Sequence, residues 1–445
     1  MSTPKRYRCL IMGAAGRDFH DFLTFFRDHP DHEVCAFTAT QIPFIDQRAF
    51  PRSLAGPDYS ADIPIYSEER MPELVRELGI DFVFFAYSDV SHEDLMHKGS
   101  LVLATGASFV LLGPKHTELT AKKPVLAVTA VRTGCGKSPL SQFLTRELLA
   151  AGERVAVMRH PMPYGDLERQ AVQRFGELAD LDKHGCTIEE REEYAPYLEK
   201  GLPIFAGVDY RRLLTMAEAE ADVVLWDGGN NDFSFVKPDL HFAVLDALRP
   251  GHERSYYPGE TNFLAAHVVI INKVSEARAE DLAAMRERAR KFNPNAAHVE
   301  SDLAIELESP DKVRGKRALV VEDGPTLTHG GMTFGAGLLA AERGGATIVD
   351  PRPGATGSIK DLFARYPGVS RVLPAMGYSD AQRAELAATI RASGAEVVVD
   401  ASPAGIVRLL GLEQPVVRVS YSFLQRSGPP VLELVRAAVA RARAR

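Results

Sequence analysis

The sequence predicts an α/β protein of three α/β units. These are a Rossmann-like N-terminal domain over residues 1–120, a central domain with a mostly parallel sheet over 121–312, and a C-terminal α/β domain over 313–445. Three observations predict it. Short apolar, β-rich runs alternate with helical stretches along the whole chain, the pattern of βαβ units. Most of those runs end in a polar or glycine-containing turn, as at the ligand-facing carboxyl edge of a parallel sheet. The length of 445 residues suits about three domains.

In the N-terminal unit, Arg8–Met12 reads as a strand. Gly13-Ala-Ala-Gly16-Arg17-Asp18 reads as the turn after it, and a helix follows through Phe26. Further strands are expected at Glu33–Thr38, Asp81–Ala86 and Phe109–Leu112. The Gly13–Gly16 turn is short of the three-glycine dinucleotide pattern, and Thr38-Ala-Thr40 stands where that pattern wants an acid. Tyr87-Ser-Asp-Val-Ser-His-Glu93 places polar residues at a strand's carboxyl end, and Ser91 with Asp94 also reads as a helix cap.

The central unit carries the strongest signal. The strand Pro124–Ala130 runs into Val131-Arg-Thr-Gly-Cys-Gly-Lys-Ser138, and a helical pattern follows. This is a phosphate-binding loop, with Val131 where the eight-residue pattern has its first glycine. Backbone N–H groups from Arg132, Thr133, Gly134, Cys135 and Gly136 are expected to cradle phosphate oxygens beside the positive end of the helix. Lys137 would reach the β- and γ-phosphates, and Ser138 would place its hydroxyl on Mg²⁺. Pro139 lies in the first turn, where its missing N–H costs nothing.

The next strand, Arg154–Met158, delivers Arg159 and His160 as anion ligands and Asp166 as a candidate for orienting the nucleophile or metal. His184 with Cys186 is too small a set for a metal site. Glu189-Glu-Arg-Glu-Glu-Tyr194 reads as a solvated helix face. Ala221–Trp226 running into Asp227 is the Walker B pattern, in which Asp227 holds the Mg²⁺ water shell. Asn230, Asn231 and Asp232 follow two glycines there. After a strand at Leu240–Leu245, a loop with Arg249, His252, Arg254, Tyr256 and Tyr257 suits an anionic substrate, because arginine binds two phosphate oxygens at once. Ala266–Ile271 then leads to Asn272-Lys273-Val-Ser275, near the guanine-reading Asn-Lys-x-Asp but with serine in place of aspartate. Asn272 and Lys273 are candidates for lining the base pocket.

The C-terminal unit repeats the pattern. Lys316–Val321 leads into Glu322-Asp-Gly-Pro-Thr-Leu-Thr-His-Gly-Gly331, Ala346–Val349 into Asp350-Pro-Arg352, and Val397–Val399 into Asp400-Ala-Ser-Pro403. Thr328, His329, Arg352, Ser358 and Lys360 are candidates to complete a phosphate-rich crevice across a domain boundary.

The totals exclude several classes. A net charge of −7 argues against nucleic-acid binding by bulk charge. No apolar run approaches the ~20 residues needed to span a bilayer. Four scattered cysteines fit a reducing cytoplasm, and the first residues lack a signal-peptide core. A symmetric dimer is the expected assembly for a cytoplasmic enzyme of this size.

Five segments together, Ile11–His20, Val131–Ser138, His160–Asp166, Trp226–Asp232 and Glu322–Gly331, resemble a prokaryotic family described as cyclic 2,3-diphosphoglycerate synthetase or as a P-loop GTPase. The resemblance covers nearly the whole chain. It implies an ATP-dependent synthetase, with Lys137, Ser138 and Asp227 holding Mg-nucleotide. A small, bisphosphorylated anionic substrate would lie on the basic loops. With it, Lys137, Asp166, Asp227 and Arg254 are the expected catalytic set. Arg159, His160, Asn230, Asn231, His252, Tyr256, His329 and Arg352 are the expected substrate ligands. A GTP-driven switch or metallochaperone is the alternative, favoured by Asn272-Lys273 and opposed by Ser275.

Overall fold

The structure, a computed structural model, describes residues 6–14, 16–40, 48–160, 165–229, 232–328, 330–375, 380–403 and 405–445. Alternation of buried strands and helices is realised throughout, and the fold is the expected mixed α/β type with mostly parallel sheets.

The N-terminal sheet has the parallel order Ile63–Ser67, His32–Ala39, Tyr7–Met12, Phe82–Phe85, Ser108–Val110, with Ala49–Phe50 antiparallel at one edge. This is a Rossmann half-sheet. Its order reverses between Tyr7–Met12 and Phe82–Phe85, which places a crevice at their carboxyl ends. One face is filled by phenylalanines, including Phe19, Phe22, Phe26, Phe37 and Phe50, all at most 1% exposed.

The central sheet runs Ile204–Ala206, Val155–Arg159, Val223–Asp227, Val125–Ala130, Leu240–Asp246, Val268–Asn272, Ala297–Leu307, all parallel. Gln173–Phe175 caps one edge in antiparallel sense. Central strands such as Val125–Ala130 and Val223–Asp227 are buried at every position. Burial on both faces explains why they read as continuous apolar runs with no alternation.

The sheet does not break at residue 313. Ala297–Leu307 pairs antiparallel with Val416–Ser427 over most of its length. Val416–Ser427 in turn pairs in parallel with Val397–Asp400, and that strand with Arg317–Glu322. One continuous sheet therefore carries both units. The helix Val431–Arg443 returns to the central core, burying Val431, Val435, Ala438 and Val439 there. Each of the three buried valines contributes roughly 1.5–3 kcal/mol.

Because the joining pair is antiparallel, the C-terminal strands point opposite to the central ones. The carboxyl ends of both sets, with Ser88 and Asp89 from the N-terminal unit, line one cleft of 870 Å³. No helix among the described residues is long and apolar enough to cross a membrane.

Candidate nucleotide-binding and catalytic site

The phosphate-binding loop forms one wall of the cleft, with Arg132 to Ser138 all lining it. The helix Lys137–Ala150 starts at its end. Gly134 and Gly136 take φ of +80° and +101°, a backbone region that penalises side chains. A Cβ on Gly136 would lie 2.2 Å from Asn272 Nδ2, and one on Gly134 would lie 3.1 Å from Thr326 Cγ2. The loop is therefore gripped from two sides.

Asn272 and Lys273 supply one grip. Asn272 Nδ2 donates to the Cys135 carbonyl at 2.8 Å, and its Oδ1 accepts from Ser301. Lys273 Nζ donates to the Gly134 carbonyl and to Asp246 Oδ2, each at 2.7 Å. Asn272 is 1% exposed and is spent on the loop's backbone, which departs from its expected place in the base pocket. Lys273 does line the cleft. Beneath, Arg249 donates to Asp246, to the Gly330 carbonyl and to Cys135 Sγ. Burial raises the Asp246 carboxyl's pKa, but Lys273 and Arg249 outweigh it and hold the group low.

The N-terminal unit supplies another grip. Asp89 accepts from Thr133 N at 3.1 Å and Thr133 Oγ1 at 2.7 Å, and pairs with Arg132 Nε at 2.6 Å. The Arg132 guanidinium lies 3.6 Å from the Tyr256 ring centroid, and its Nη1 is 3.3 Å from His252 Nδ1. Tyr256 and His252, read as substrate ligands, thus hold Arg132 in place. Burial, and then the Arg132 and Arg249 charges, push the His252 imidazole below its ordinary pKa.

At the phosphate end of the loop, four side chains meet. Lys137 Nζ donates to Asp227 Oδ1 at 2.7 Å. The Arg159 guanidinium and the Tyr197 hydroxyl, the latter at 2.5 Å, both reach Asp227 Oδ2. Arg159 also pairs with Glu193. Asp227 is fully buried and Arg159 is 2% exposed in its side chain. Burial alone would raise the Asp227 pKa. The Arg159 and Lys137 charges overcome it and hold the carboxylate well below the usual range. Ser138 and Asp227 are hard oxygen donors suited to Mg²⁺, which prefers one or two protein ligands plus phosphate and water.

Glu193 and Tyr197 lie on the helix Ile188–Leu198, whose start was read as a solvated face. That reading is corrected: Tyr194 and Tyr197 are each 1% exposed, and Glu193 turns to Arg159. The charged run masked a tyrosine pair at i and i+3 on one helical face. Thr187 and Glu190 form its capping box.

Other expected residues fall elsewhere. Asp166 is exposed and accepts from Glu168 N and Arg169 N, so it caps a turn outside the cleft lining. Arg254 pairs with Glu260 and lies flat on Phe292, 3.6 Å from its centroid. Arg352 is half-exposed and pairs with Asp350. The structure brings none of these three to the cleft: each is satisfied by a local acid or backbone group. His160 sits behind Arg159, 5% exposed, with Nε2 3.0 Å from Asp232 Oδ2. Asn230, Asn231 and His329 lie outside the described residues. His184 meets Phe175 edge to face, and no group of three metal-ligating side chains occurs among the described residues.

The Gly13–Gly16 turn faces the central unit. A Cβ on Gly16 would overlap the His160 imidazole at 2.1 Å, and Gly16 N donates to Asp18. Close domain contact is what this glycine serves. Ser91 is a helix cap, accepting from Asp94 N at 3.0 Å.

The second strand of the cleft wall, Arg317–Glu322, ends in a buried acid. Glu322 is 3% exposed, and its Oε1 accepts from Gly335 N and Leu338 N at the start of the helix Ala336–Arg343. Burial pushes its pKa up to about 7. Asp302, beyond Asn272, accepts from Ser275 N and Oγ and pairs with Arg426. It lines the cleft where an aspartate was missed at position 275.

The chain has relatives among known proteins. It is 54% identical over 436 residues to the arginine synthetase ArcE of Thermococcus kodakarensis, covering 98% of this chain and 97% of that protein. The chain belongs to the ArcE arginine synthetase family. No family model matches it. Among solved structures, LpxK of Aquifex aeolicus in complex with ATP aligns over 79% of this chain and 95% of its own, at 12% identity and a TM-score of 0.40. A ParA family ATPase from Chlorobium tepidum aligns over 40% of this chain and 84% of its own, at 13% identity and a TM-score of 0.26. Membership in a synthetase family agrees with the general expectation of a synthetase.

Proposed function

We propose that this chain is an ATP-dependent synthetase that forms arginine from a ureido amino acid and ammonia. One observation carries the reading beyond the relative's name. Lys137, Arg159 and Tyr197 converge on the buried Asp227 at the end of the phosphate-binding loop, inside a cleft that holds more than a nucleotide triphosphate tail. Phosphoryl transfer needs this kind of positioning and charge neutralisation more than covalent help.

In the proposed reaction the ureido oxygen attacks the γ-phosphorus. The new O–P bond forms as the bond to the β-phosphate oxygen breaks, and ADP leaves. The nitrogen lone pair of ammonia then attacks the activated carbon. The C–O bond breaks, phosphate leaves carrying one proton from the ammonia nitrogen, and the guanidinium remains. Lys137 and the loop N–H groups hold the phosphates, and Arg159 faces the transferred group. Ser138 and Asp227 would hold Mg²⁺, which would supply charge neutralisation on the phosphates.

The test is incubation of the full chain with Mg-ATP, L-citrulline and ammonium, with amino-acid analysis and phosphorus NMR. Arginine, ADP and inorganic phosphate in equal amounts are expected. AMP and pyrophosphate would overturn the γ-phosphoryl mechanism. Turnover stimulated by 2,3-bisphosphoglycerate and not by citrulline would return the substrate to the bisphosphorylated acid implied by the sequence resemblance. GTP turnover indifferent to both would favour a switch.

A further inference from the structure

The cleft has two unlike walls. The central wall presents Lys137, Arg159 and Lys273 beside the phosphate-binding loop. The opposite wall is built from the C-terminal strands. There, Arg317–Glu322 has Val397–Asp400 on one side and Thr347–Ile348 with Leu373–Pro374 on the other. The strand that follows Arg317–Glu322 in sequence pairs on one side and the last two parallel strands lie on the other. The order therefore reverses between Arg317–Glu322 and Val397–Asp400. In open α/β sheets the ligand crevice lies outside the carboxyl ends of the strands at such a reversal.

The residues leaving those two ends are Glu322-Asp323 and Ala401-Ser402-Pro403, and all five line the cleft. This second crevice therefore opens onto the phosphate-binding loop, and Thr326 from the same turn touches the space above Gly134. Among the described residues, Glu322 is buried there without a cationic partner. Asp400, its neighbour across the strands, is already taken by Arg418 Nη1 at 3.0 Å and by Ser402. Asp323, next in the chain, is the charged group that acts on Glu322. From the packed helix Ala336–Arg343 only backbone N–H groups reach it.

A ureido amino acid and arginine share one permanent cation, the α-ammonium. Their reacting ends must approach the phosphate-binding loop, which leaves the head group for the far wall. We propose that the strand-order reversal of the C-terminal unit is the amino-acid subsite of the synthetase, with Glu322 receiving the α-ammonium and Ala401–Pro403 closing the other side. This rests on the arginine synthetase reading. It assigns the nucleotide and the amino acid to the two opposed halves of one sheet. A buried carboxylate without a countercharge is costly, and a bound ammonium would supply that countercharge.

The experiment is calorimetric binding of L-arginine and of Nα-acetyl-L-arginine to the full chain with ADP present, for wild type and Glu322→Gln. Glutamine keeps the volume and removes the charge. Wild type should bind L-arginine, and the variant should lose about tenfold or more in affinity. A fluorescent ADP analogue should bind both proteins within about twofold, which also reports folding. Nα-acetyl-L-arginine, lacking the ammonium, should bind wild type weakly and lose nothing further in the variant.

Wild type alone gives a second readout. With the Glu322 carboxyl near half-protonated at pH 7, arginine binding there should release about half a proton, seen by comparing buffers of different ionisation enthalpy. Unchanged arginine affinity in Glu322→Gln, or no proton release by wild type, overturns the subsite while leaving the synthetase reading standing. Failure of wild type to bind arginine or citrulline at all overturns both.

Discussion

Tyr197→Phe tests whether the Asp227 cluster is a working unit. The hydroxyl donates to Asp227 Oδ2 at 2.5 Å, inside a region where Tyr197 is 1% exposed. Phenylalanine keeps the ring and its packing, so little of the loss is a cavity term. A hydrogen bond to a charged group is worth about 1.5–3 kcal/mol, and that is the expected loss. Tyr194→Phe is the control. It lies on the same helix with the same exposure, and no hydrogen bond of its hydroxyl is seen among the described residues. Its loss should stay below about 1 kcal/mol. The chain's single tryptophan, Trp226, is fully buried next to Asp227, so urea unfolding followed by its fluorescence reports on this unit. The midpoint should fall for Tyr197→Phe at unchanged m-value. Equal losses for the two variants, or none for Tyr197→Phe, would refute the claim that this bond braces the aspartate.

Lys137→Ala should lower ATP turnover by about 10²-fold or more in a coupled ADP assay, since it removes the cation that pairs with Asp227 and that the proposed reaction places on the phosphates. Gly136→Ala forces a side chain into φ +101° and against the Asn272 amide. Roughly 1–2 kcal/mol of backbone strain plus about 1 kcal/mol from the Asn272–Cys135 bond should weaken nucleotide binding at least about tenfold by fluorescence titration. Asp89→Asn keeps the shape but removes the charge on Arg132, and should raise the nucleotide KM more than it lowers kcat. For pH, the Glu322 pKa is raised to about 7 in the folded chain. Its contribution to stability is present below the ordinary glutamate range and is lost as pH rises toward 7. Urea midpoints of Glu322→Gln should therefore fall less than those of wild type between pH 5 and 7.5.

The α/β class and the parallel strands were legible because burial on both faces leaves unbroken apolar runs such as Val125–Ala130. That Lys137 and Asp227 come together was legible for a different reason: the strand–loop–helix pattern and the apolar run ending in aspartate each fix residues in a local spacing. Asp166, Arg254 and Arg352 show the limit of that reasoning. Each stands at a strand's carboxyl side in the sequence, but a neighbouring carboxylate or turn amide satisfies it first. Tyr197 and Glu193 were hidden in an acidic helix, since sequence charge does not reveal which face turns inward. The Ala297–Leu307 and Val416–Ser427 pairing was missed as well. Its partners are more than 100 residues apart, and the first strand is interrupted by Glu300 and Asp302. The alternating Val417, Val419 and Phe423 were the available signal.

That pairing has a mechanical consequence. Two lobes joined by a flexible linker can swing shut on a substrate, but here the lobes share a ladder of backbone hydrogen bonds, shifted in register once between Glu300 and Ser301, and are clamped further by the returning helix Val431–Arg443. If the proposed subsites hold, the distance between nucleotide and amino acid is set by sheet twist, a stiff coordinate. The chain would hold its two reactants at a preset separation, as a jig does, and the entropy of bringing them together is met at folding. The N-terminal unit is packed on the central one through buried contacts, Arg17 pairing with Asp232 and His20 stacking on Phe235. It is tied to the rim through Asp89 on Arg132 and Thr133 and through the short Val90–Ser91 pairing with Tyr256–Tyr257. Bound nucleotide should slow hydrogen exchange at this rim, around Thr133, more than in the ladder that joins the two lobes.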